Sequence, residues 1–366
     1  MYRVHTYYFL ALTFFVVLLS GCKGSLDLDG NEGIPIEFAL QNFDVQVKGV
    51  QLTTDNISNF GVFASLENKG RSFSDNSADL STFMSNVEVQ KDKETGKWCA
   101  TPAHYWPIFP EKKLSFFAYA PYGVVGNDAA PDWGSRTITL PYTVAANPAS
   151  QSDFCVARAV LDKTKEDAGN PISFEFVHTL SFVTFVANYV GTVPDGCYLR
   201  VDELTLSNLY NSSSLTLNSN QQDDQPFFEW GVPEESKNAS YTLSVGKNTL
   251  EDKELYDISK EPSEFVMPDG LLYLVPQEVN ADDNSARSIL DVTFSFVKKD
   301  SRKSIVAQFY TSLQLPNGVW QAGRKHKYQF TIDVSKASLI DISLVDGGWI
   351  EDWENSKEVV SGKPLI

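Results

Sequence analysis

Apolar and polar residues alternate along much of this chain, and this period limits the fold more than any other feature. Residues 327–334 read Lys-Tyr-Gln-Phe-Thr-Ile-Asp-Val, and residues 292–296 read Val-Thr-Phe-Ser-Phe. Successive side chains of a β-strand point to opposite faces, so such segments place one face on a core and the other in water. Further strands are predicted at residues 60–65, 114–119, 137–140, 173–176, 182–189, 241–245, 271–275, 304–313 and 337–344.

The remaining segments suggest little helix and two domains. Residues 78–84 predict about two helical turns, because Leu80, Phe83 and Met84 share one side at helical spacing. Many short strands with polar turns predict an all-β fold of antiparallel sandwiches. Residues 218–226 hold no large apolar residue and end in a proline. We therefore expect an N-terminal β-sandwich domain over 34–222 and a C-terminal one over 223–366.

The composition is rich in aromatic residues and acidic. The 24 Phe, 15 Tyr and 7 Trp make up 13% of the 366 residues, and they suit pleated, half-buried surfaces. We expect most of them at inward positions of two sandwich cores. The formal net charge of −17 argues against nucleic acid as a partner and against a basic membrane-binding face, because both need clustered positive charge.

The N-terminus predicts secretion. Residues 7–19 are apolar except for Thr13, and 13 residues are too few to span a bilayer as a helix. The following Leu-Ser-Gly-Cys22 resembles the bacterial lipoprotein box, in which the cysteine is acylated. We expect a signal peptide over 1–21, lipid attachment at Cys22 and a flexible tether over 22–33. The alternatives are a plain signal peptide or a short anchor.

The segment after Cys22 also bears on location and charge. Its acidic residues resemble the signal that sends Bacteroidetes lipoproteins to the cell surface, so we expect a surface-exposed protein of the outer membrane. Removal of residues 1–21 takes away only Arg3, and the mature chain then carries 29 basic and 47 acidic residues, a net charge of −18. Cys99, Cys155 and Cys197 remain, as one disulfide at most or as buried free thiols; their spacing matches no zinc pattern.

The sequence nominates no catalytic residue, no metal ligand and no cofactor, so we expect no enzyme. Nucleophile-elbow, metalloprotease, P-loop and dinucleotide-binding patterns are all missing from the sequence. His104 and His178 are interpreted as hydrogen-bonded structural residues, and His326 as solvated in a basic turn. The acidic pairs Glu234/Glu235 and Asp282/Asp283 lie in polar segments and are interpreted as solvated.

Tryptophans near turns leave a second function open. Trp98, Trp106 and Trp133 in the first half, with Trp349 and Trp353 near the C-terminus, are either sugar-stacking platforms or core anchors. The alternative function is therefore a glycan-binding lipoprotein on the surface of the outer membrane, with a similar β-sandwich fold.

Several segments, in order along the mature chain, carry a family resemblance. They are N-F-G-V-F-A at 59–64, Y-W-P at 105–107, L-S-F-F-A-Y-A-P at 114–121, Q-S-D-F at 151–154, F-V-H-T-L-S-F at 176–182, W-Q-A-G-R-K-H-K-Y-Q-F at 320–330, and the tryptophans at 349 and 353. Together with the lipoprotein box, this set resembles the Bacteroidetes fimbrillins, the Mfa-like subunits of type V pili.

The resemblance implies two tandem transthyretin-like antiparallel β-sandwich domains, an acylated precursor and assembly into a pilus. In well-studied members a trypsin-like protease removes the first strand, and the groove so opened accepts a strand from a neighbouring subunit, which is β-augmentation. The implied partners are other pilus subunits by strand donation, the outer membrane through the lipid on Cys22, and a host or glycan ligand.

Carried onto this sequence, the removable strand is residues 35–40, alone or with 43–47. The cut would follow Lys48, where well-studied members most often have arginine; the alternative is that the strand stays, as in an anchor or an unprocessed lipoprotein. The donor would be the C-terminal end, with Gly347-Gly348 as a hinge and residues 349–350 and 358–360 as inserted positions. The alternative there is an ordinary final strand with a frayed tail.

Overall fold

The computed structural model of the chain describes residues 33–41 and 56–349, except for residues 127, 223–224, 234–236, 245–256, 266–271, 281–286 and 302–303 and the side chains of residues 263–265, 339–340 and 345–349. The predicted signal peptide, Cys22, the tether, Lys48 and the segment after Trp349 lie outside these residues.

The described residues form short strands and two 3₁₀ turns, at Pro148–Ser150 and Lys165–Asp167. The first ten strands are β1 Glu37–Leu40, β2 Asn59–Glu67, β3 Leu80–Lys91, β4 Trp98–Thr101, β5 Lys113–Ala120, β6 Ala130–Asp132, β7 Thr137–Thr143, β8 Cys155–Lys163, β9 Ile172–Phe174 and β10 Phe176–His178.

The second part of the chain continues in the same way. Its strands are β11 Ser181–Val190, β12 Cys197–Leu209, β13 Ser212–Leu217, β14 Phe228–Trp230, β15 Ala239–Ser244, β16 Asp257–Ile258, β17 Ser263–Phe265, β18 Leu272–Leu274, β19 Gln277–Val279, β20 Ile289–Lys298, β21 Ile305–Gln314, β22 Gly318–Trp320, β23 Arg324–Asp333 and β24 Ser338–Trp349. Each strand predicted from alternation falls on one or two of these strands.

The first sandwich has an eight-stranded sheet, ordered β10-β8-β5-β2-β3-β4-β1-β9, and a four-stranded sheet, ordered β14-β13-β7-β6. One face of the large sheet packs on the small sheet, where Tyr142 stacks on Phe154 with ring centroids 4.9 Å apart. The other face encloses a separate core that includes Phe60, Phe116 and Phe174. The large sheet therefore buries apolar side chains on both faces.

The second sandwich packs the β17-β11-β23-β24 sheet, with β18 added on β11, on the β15-β12-β20-β21 sheet, with β16 added on β12. Inward residues from the two sheets join one apolar cluster that continues into the first sandwich. The predicted all-β architecture of tandem sandwiches is thus confirmed, with the addition that β1 pairs with β9, and β11 with β23, in parallel.

The predicted boundary at residue 222 does not coincide with a break in strand pairing. β11 and β12 pair with strands from the C-terminal half, whereas β13 pairs with β7 in the first sandwich and β14 pairs with β13. Residues 218–226 form the β13–β14 connection, and Arg158 on β8 donates hydrogen bonds to the carbonyls of Asn220 and Gln222. The stretch looked like a linker because turn and linker compositions overlap.

The helix predicted at residues 78–84 is wrong, because residues 80–84 belong to β3 and the two residues before them are not helical. The register between β2 and β3 shifts twice, so that Val62, Ala64 and Ser65 face Val87, Met84 and Thr82 in turn. Each shift adds one residue to β3, as a β-bulge does. Two bulges stretch the spacing of inward residues beyond two and so imitate a helical period.

The prediction that aromatic residues fill the interior is confirmed. The largest fully buried side chains of the described residues are all aromatic, namely Trp320, Tyr119, Tyr241, Tyr328, Phe60, Phe63, Phe73, Phe116, Phe117, Phe154, Phe174 and Phe182.

Candidate assembly groove

Strand β1 lies inside the large sheet, between two strands that come from distant parts of the sequence. Phe38 pairs with Trp98 of β4 in antiparallel register and with Ile172 of β9 in parallel register. On the approach to β1, Ile36 donates its backbone N–H to the carbonyl of His104 at 2.9 Å. The backbone of this short segment is therefore bonded on both sides, as in a central strand.

The side chains of β1 divide between the core and the surface. Ile36 and Phe38 are buried, and the Phe38 ring lies 6.2, 6.1 and 6.2 Å from the rings of Phe60, Phe116 and Phe174, respectively. Between them, the Glu37 carboxylate faces outward and pairs with Lys97 at 2.6 Å. Centroid distances in this range are those of favourable aromatic pairs, so Phe38 is the main anchor of the strand.

We call the space that β1 occupies between β4 and β9 the β1 groove. Without β1, the backbone groups of β4 and β9 that pair with it would lie at open edges, and the apolar contacts of Phe38 would face solvent. Open strand edges readily pair with another extended chain. This arrangement suits recognition of an extended peptide with an apolar residue at alternate positions.

The start of β1 is held close to the loop before β5. Trp106 donates its backbone N–H to the carbonyl of Ile34 at 2.9 Å, and Pro35 bridges to Tyr105. A Cβ atom added at Gly33 would lie 3.0 Å from the Tyr105 ring, which favours glycine there. Cys22 and Lys48, the two residues predicted for lipid attachment and cleavage, lie outside the described residues on either side of this segment.

The C-terminal end of the second sandwich is an ordered strand as far as Trp349. Gly347 and Gly348 lie within β24, where the register with β23 shifts between the Arg324–Trp349 and His326–Asp346 pairs. Glycine inside a strand commonly marks such an irregularity. The two glycines therefore form a bulge in β24 in this structure, in place of the predicted hinge, and residues 358–360 are outside the described part of the chain.

A buried polar cluster lies where the chain crosses from the first sandwich to the second. The Nδ1 atom of His178 is 2.5 Å from Oδ2 of Asp153 and 3.5 Å from Sγ of Cys155. Among the described residues, these three side chains bring together atoms of the kinds that bind metal ions, within 4.8 Å of one another. The His178–Asp153 contact is a short hydrogen bond that joins the residue two positions before β8 to the end of β10. We therefore interpret the group as a structural link.

Neighbouring hydrogen bonds fix the same crossing. Thr179 donates its hydroxyl to the carbonyl of Phe154 at 2.6 Å, and the Trp230 indole donates to the carbonyl of Thr179 at 2.8 Å. Burial, with the nearby Asp153 carboxylate, raises the pKa of the Tyr142 and Tyr273 hydroxyls, so both remain protonated and neutral at neutral pH. The sequence presented Asp153 and His178 in separate motifs, and no spacing rule predicted that they would meet.

Two of the three histidines considered in the sequence are hydrogen-bonded as predicted, and the third is not solvated. His178 is a hydrogen-bonded structural residue as predicted, and Nδ1 of His104 lies 2.8 Å from the carbonyl of Pro102. The interpretation of His326 as solvated is wrong: it is buried in β23, and its Nε2 accepts the backbone N–H of Gln321. The basic residues around it suggested a turn, but β23 is flanked by β11 and β24 and therefore buries one face even near its start.

Tryptophan side chains lie mostly inside the protein. Trp98, Trp106, Trp230 and Trp320 are buried, and Trp133 is half-buried with its indole donating to Thr82. The part of the chain with described side chains therefore offers no exposed indole as a sugar platform, and the glycan-binding alternative stays a prediction.

Two observations concern the thiols and the membrane. Cys155 and Cys197 are free and buried, whereas Cys99 is disulfide-bonded, so the alternative of buried free thiols holds for two of the three cysteines. Within the described ranges, no helix has the length and hydropathy needed to cross a bilayer.

The tandem sandwiches, with β1 held between β4 and β9, define an all-β protein of packed, mainly antiparallel sheets. A model of the family described as fimbrillin-like matches residues 48–353, and the chain belongs to this family. The family consists of structural fimbrial subunits, which confirms that the chain is not an enzyme and assigns it to a fimbrium at the cell surface.

Individual relatives agree with this assignment. The chain is 25% identical over 351 residues to fimbrium subunit Fim1C of Phocaeicola vulgatus, covering 86% of this chain and 89% of that protein. The crystal structure of a fimbrial protein from Bacteroides vulgatus superposes with a TM-score of 0.57 at 21% identity, covering 85% of this chain and 99% of that one. The second comparison supports the fold.

Proposed function

We propose that this fimbrillin-like chain is a structural or adhesive subunit of a type V pilus that assembles by strand exchange at the β1 groove. The proposal rests on the burial of Phe38 in a short strand whose two pairing partners, β4 and β9, lie far from it in the sequence. β1 joins the rest of the first sandwich only through residues 42–55, the segment that holds Lys48. The family match begins at residue 48, eight residues after the end of β1, which supports a folded subunit that does not require this strand.

The proposed assembly has a simple physical cause. Cleavage after Lys48 would convert β1 from part of the chain into a separate peptide held by hydrogen bonds and by two buried side chains. Burying a large apolar side chain contributes about 1.5–3 kcal/mol, so a free peptide with two such anchors can be replaced by a longer donor. Retention of β1 in an uncleaved chain would instead suit an anchor subunit that accepts no donor.

The donor in this proposal is the C-terminal segment of another subunit. β24 ends at Trp349, and 17 residues follow it in the sequence. A fully extended chain of that length spans about 55–60 Å, enough to leave one subunit and enter a groove in the next. Because neighbouring residues of a strand face opposite sides, one of Val359 and Val360 is the candidate for the side chain that replaces Phe38.

Deletion of residues 350–366 tests the donor directly. We expect the truncated protein, after cleavage at Lys48, to keep the circular dichroism of the full chain and to sediment as a monomer, because β24 is retained. The matched control lacks only residues 361–366, keeps both valines and should still polymerise. A truncated protein that polymerises as well as the full chain would mean that another segment is the donor.

We further propose that Cys22 carries the lipid that holds the precursor at the outer membrane. Replacing it with serine should move the protein from the membrane fraction to the soluble fraction, whereas Ser20→Ala should not. Retention of the Cys22→Ser protein in the membrane would contradict the anchor.

A further inference from the structure

The loop before β5 exposes large apolar side chains at one end of the first sandwich. Ile108 and Phe109 are 64% and 57% exposed, and Ile34, whose carbonyl bonds to the backbone of Trp106, is 42% exposed. Pro107 and Pro110 flank the two loop residues and restrict their backbone, so the loop presents them in a stiff form. We call Ile34, Ile108 and Phe109 the first end cluster.

Strand directions show that this cluster lies at the free end of the molecule. β1 runs from Pro35 toward the crossing between the sandwiches, because it is parallel to β9 and β10 leads on from β9 to His178. The direction of β5 places the cluster at the same end. Its last residue, Ala120, pairs with Cys155 at the crossing, so its first residue, Lys113, lies at the opposite end of the sheet. The loop that precedes Lys113 therefore points away from the second sandwich.

The second sandwich also exposes apolar side chains at its free end. Ile305 and Val306, the first residues of β21, are 48% and 51% exposed. Neighbouring residues of a strand face opposite sides of a sheet, so exposure of both means that the start of β21 lies beyond the sandwich core. We call Ile305 and Val306 the second end cluster.

The position of β21 follows from its neighbours. Ile305 pairs with Val297, and Lys299, two residues further along, donates its backbone N–H to the carbonyl of Gly196. Gly196 belongs to the connection between β11, which starts at the crossing, and β12, which returns to it. The second end cluster therefore lies at the end of the molecule opposite the first.

One chain thus carries two different apolar clusters at its two opposite ends. Large apolar side chains exposed at the end of a molecule suit a contact with another protein, and contact between two different surfaces of identical subunits gives an open row unless the rotation closes it into a ring. The first end cluster is also continuous with the β1 groove, since Ile34 leads directly into the segment that fills it. The expected occupant is consequently another subunit of the same kind.

We propose that the first end cluster of one subunit binds the second end cluster of a second copy of this chain. The contact deepens the proposed function, on which it rests, because it would align subunits end to end beside the strand that joins them. It adds to strand exchange a contact that sets the orientation of neighbouring subunits.

Cross-linking tests the contact without relying on filaments. In a Cys22→Ser/Cys99→Ser background, where Cys155 and Cys197 are buried, the Phe109→Cys and Val306→Cys changes are made singly and together. The protein, before and after cleavage at Lys48, is treated with a short bis-maleimide reagent. The double variant should give a ladder of dimers and larger oligomers. An equimolar mixture of the two single variants should give dimers, and each single variant alone should stay monomeric.

A second measurement gives the strength of the contact. The Ile108→Ser/Phe109→Ser protein and the Ile305→Thr/Val306→Thr protein should each associate about 10–100-fold more weakly than the parent in sedimentation, since each loses apolar area from one side of the contact. Val232→Ser, which changes an exposed valine near the crossing between the sandwiches, is the control and should leave association unchanged.

The outcomes separate this inference from strand exchange. Filaments without a cross-linked ladder, or a ladder from Phe109→Cys alone, would overturn the end-to-end contact while strand exchange stood. A ladder without filaments would support the contact and count against strand exchange. Binding of the parent to phosphatidylglycerol vesicles, lost in Ile108→Ser/Phe109→Ser while association is unchanged, would assign the first end cluster to a membrane surface and overturn the proposal.

Discussion

Replacing Phe38 with alanine is expected to lower the free energy of unfolding by about 3–5 kcal/mol, because the truncation leaves a cavity among three aromatic rings. Urea denaturation of the uncleaved chain measures this change. The matched control is Gln41→Ala, at an exposed position just after the same strand, which should change stability by no more than about 0.5 kcal/mol.

The same variant should loosen β1 before the protein unfolds. Phe38→Ala removes the main apolar anchor, whereas the backbone hydrogen bonds to β4 and β9 stay. After cleavage at Lys48 the peptide that contains β1 should therefore leave the variant faster than the parent, as size-exclusion chromatography with mass spectrometry would show. Equal stability and equal release rates in Phe38→Ala and the parent would mean that Phe38 does not hold the strand.

Replacing Asp153 with alanine is expected to lower the free energy of unfolding by about 3–5 kcal/mol as well, for a different reason. The carboxylate is fully buried and accepts the hydrogen bond of the equally buried His178, and removing one partner of such a pair leaves the other polar group unsatisfied. The same denaturation experiment applies, with Asp128→Ala at an exposed loop position as the control.

A double variant distinguishes the effect of the Asp153–His178 hydrogen bond from the effect of lost packing. If Asp153 acts through His178, the Asp153→Ala/His178→Leu double variant should lose less stability than the sum of the two single changes. Strict additivity of the two changes, or a loss below about 1 kcal/mol in Asp153→Ala, would contradict the role given to the pair in joining the sandwiches.

The fold class was predictable because β-strand alternation is a local signal. Residues 327–334 and 292–296 alternate cleanly, and both lie in central strands of the second sandwich. The two wrong predictions, the helix at residues 78–84 and the linker at residues 218–226, also have physical causes. Bulges in β3 changed the period from two to nearly three and imitated a helix, and the polar hairpin at 218–226 imitated a linker.

The groove was predictable only in part. The place of the first strand followed from the family resemblance, and the structure shows that residues 37–40 form it between β4 and β9. The identity of its neighbours, the ring cluster around Phe38 and the Asp153–His178 pair depend on contacts between residues far apart in sequence. No local pattern encodes such contacts. The buried position of His326 was missed for another reason, because the basic residues around it suggested a turn.

Electron microscopy of the chain cut after Lys48 shows whether subunits assemble by strand exchange at the β1 groove. The Cys22→Ser protein is treated with a lysyl endoprotease under conditions where mass spectrometry confirms that single cut, and the Lys48→Ala protein is treated in parallel. Strand exchange predicts filaments from the cut chain, with the β1 peptide released, and monomers from Lys48→Ala. Filaments from uncut Lys48→Ala with β1 still in place, or a cut chain that releases β1 and stays monomeric, would contradict it.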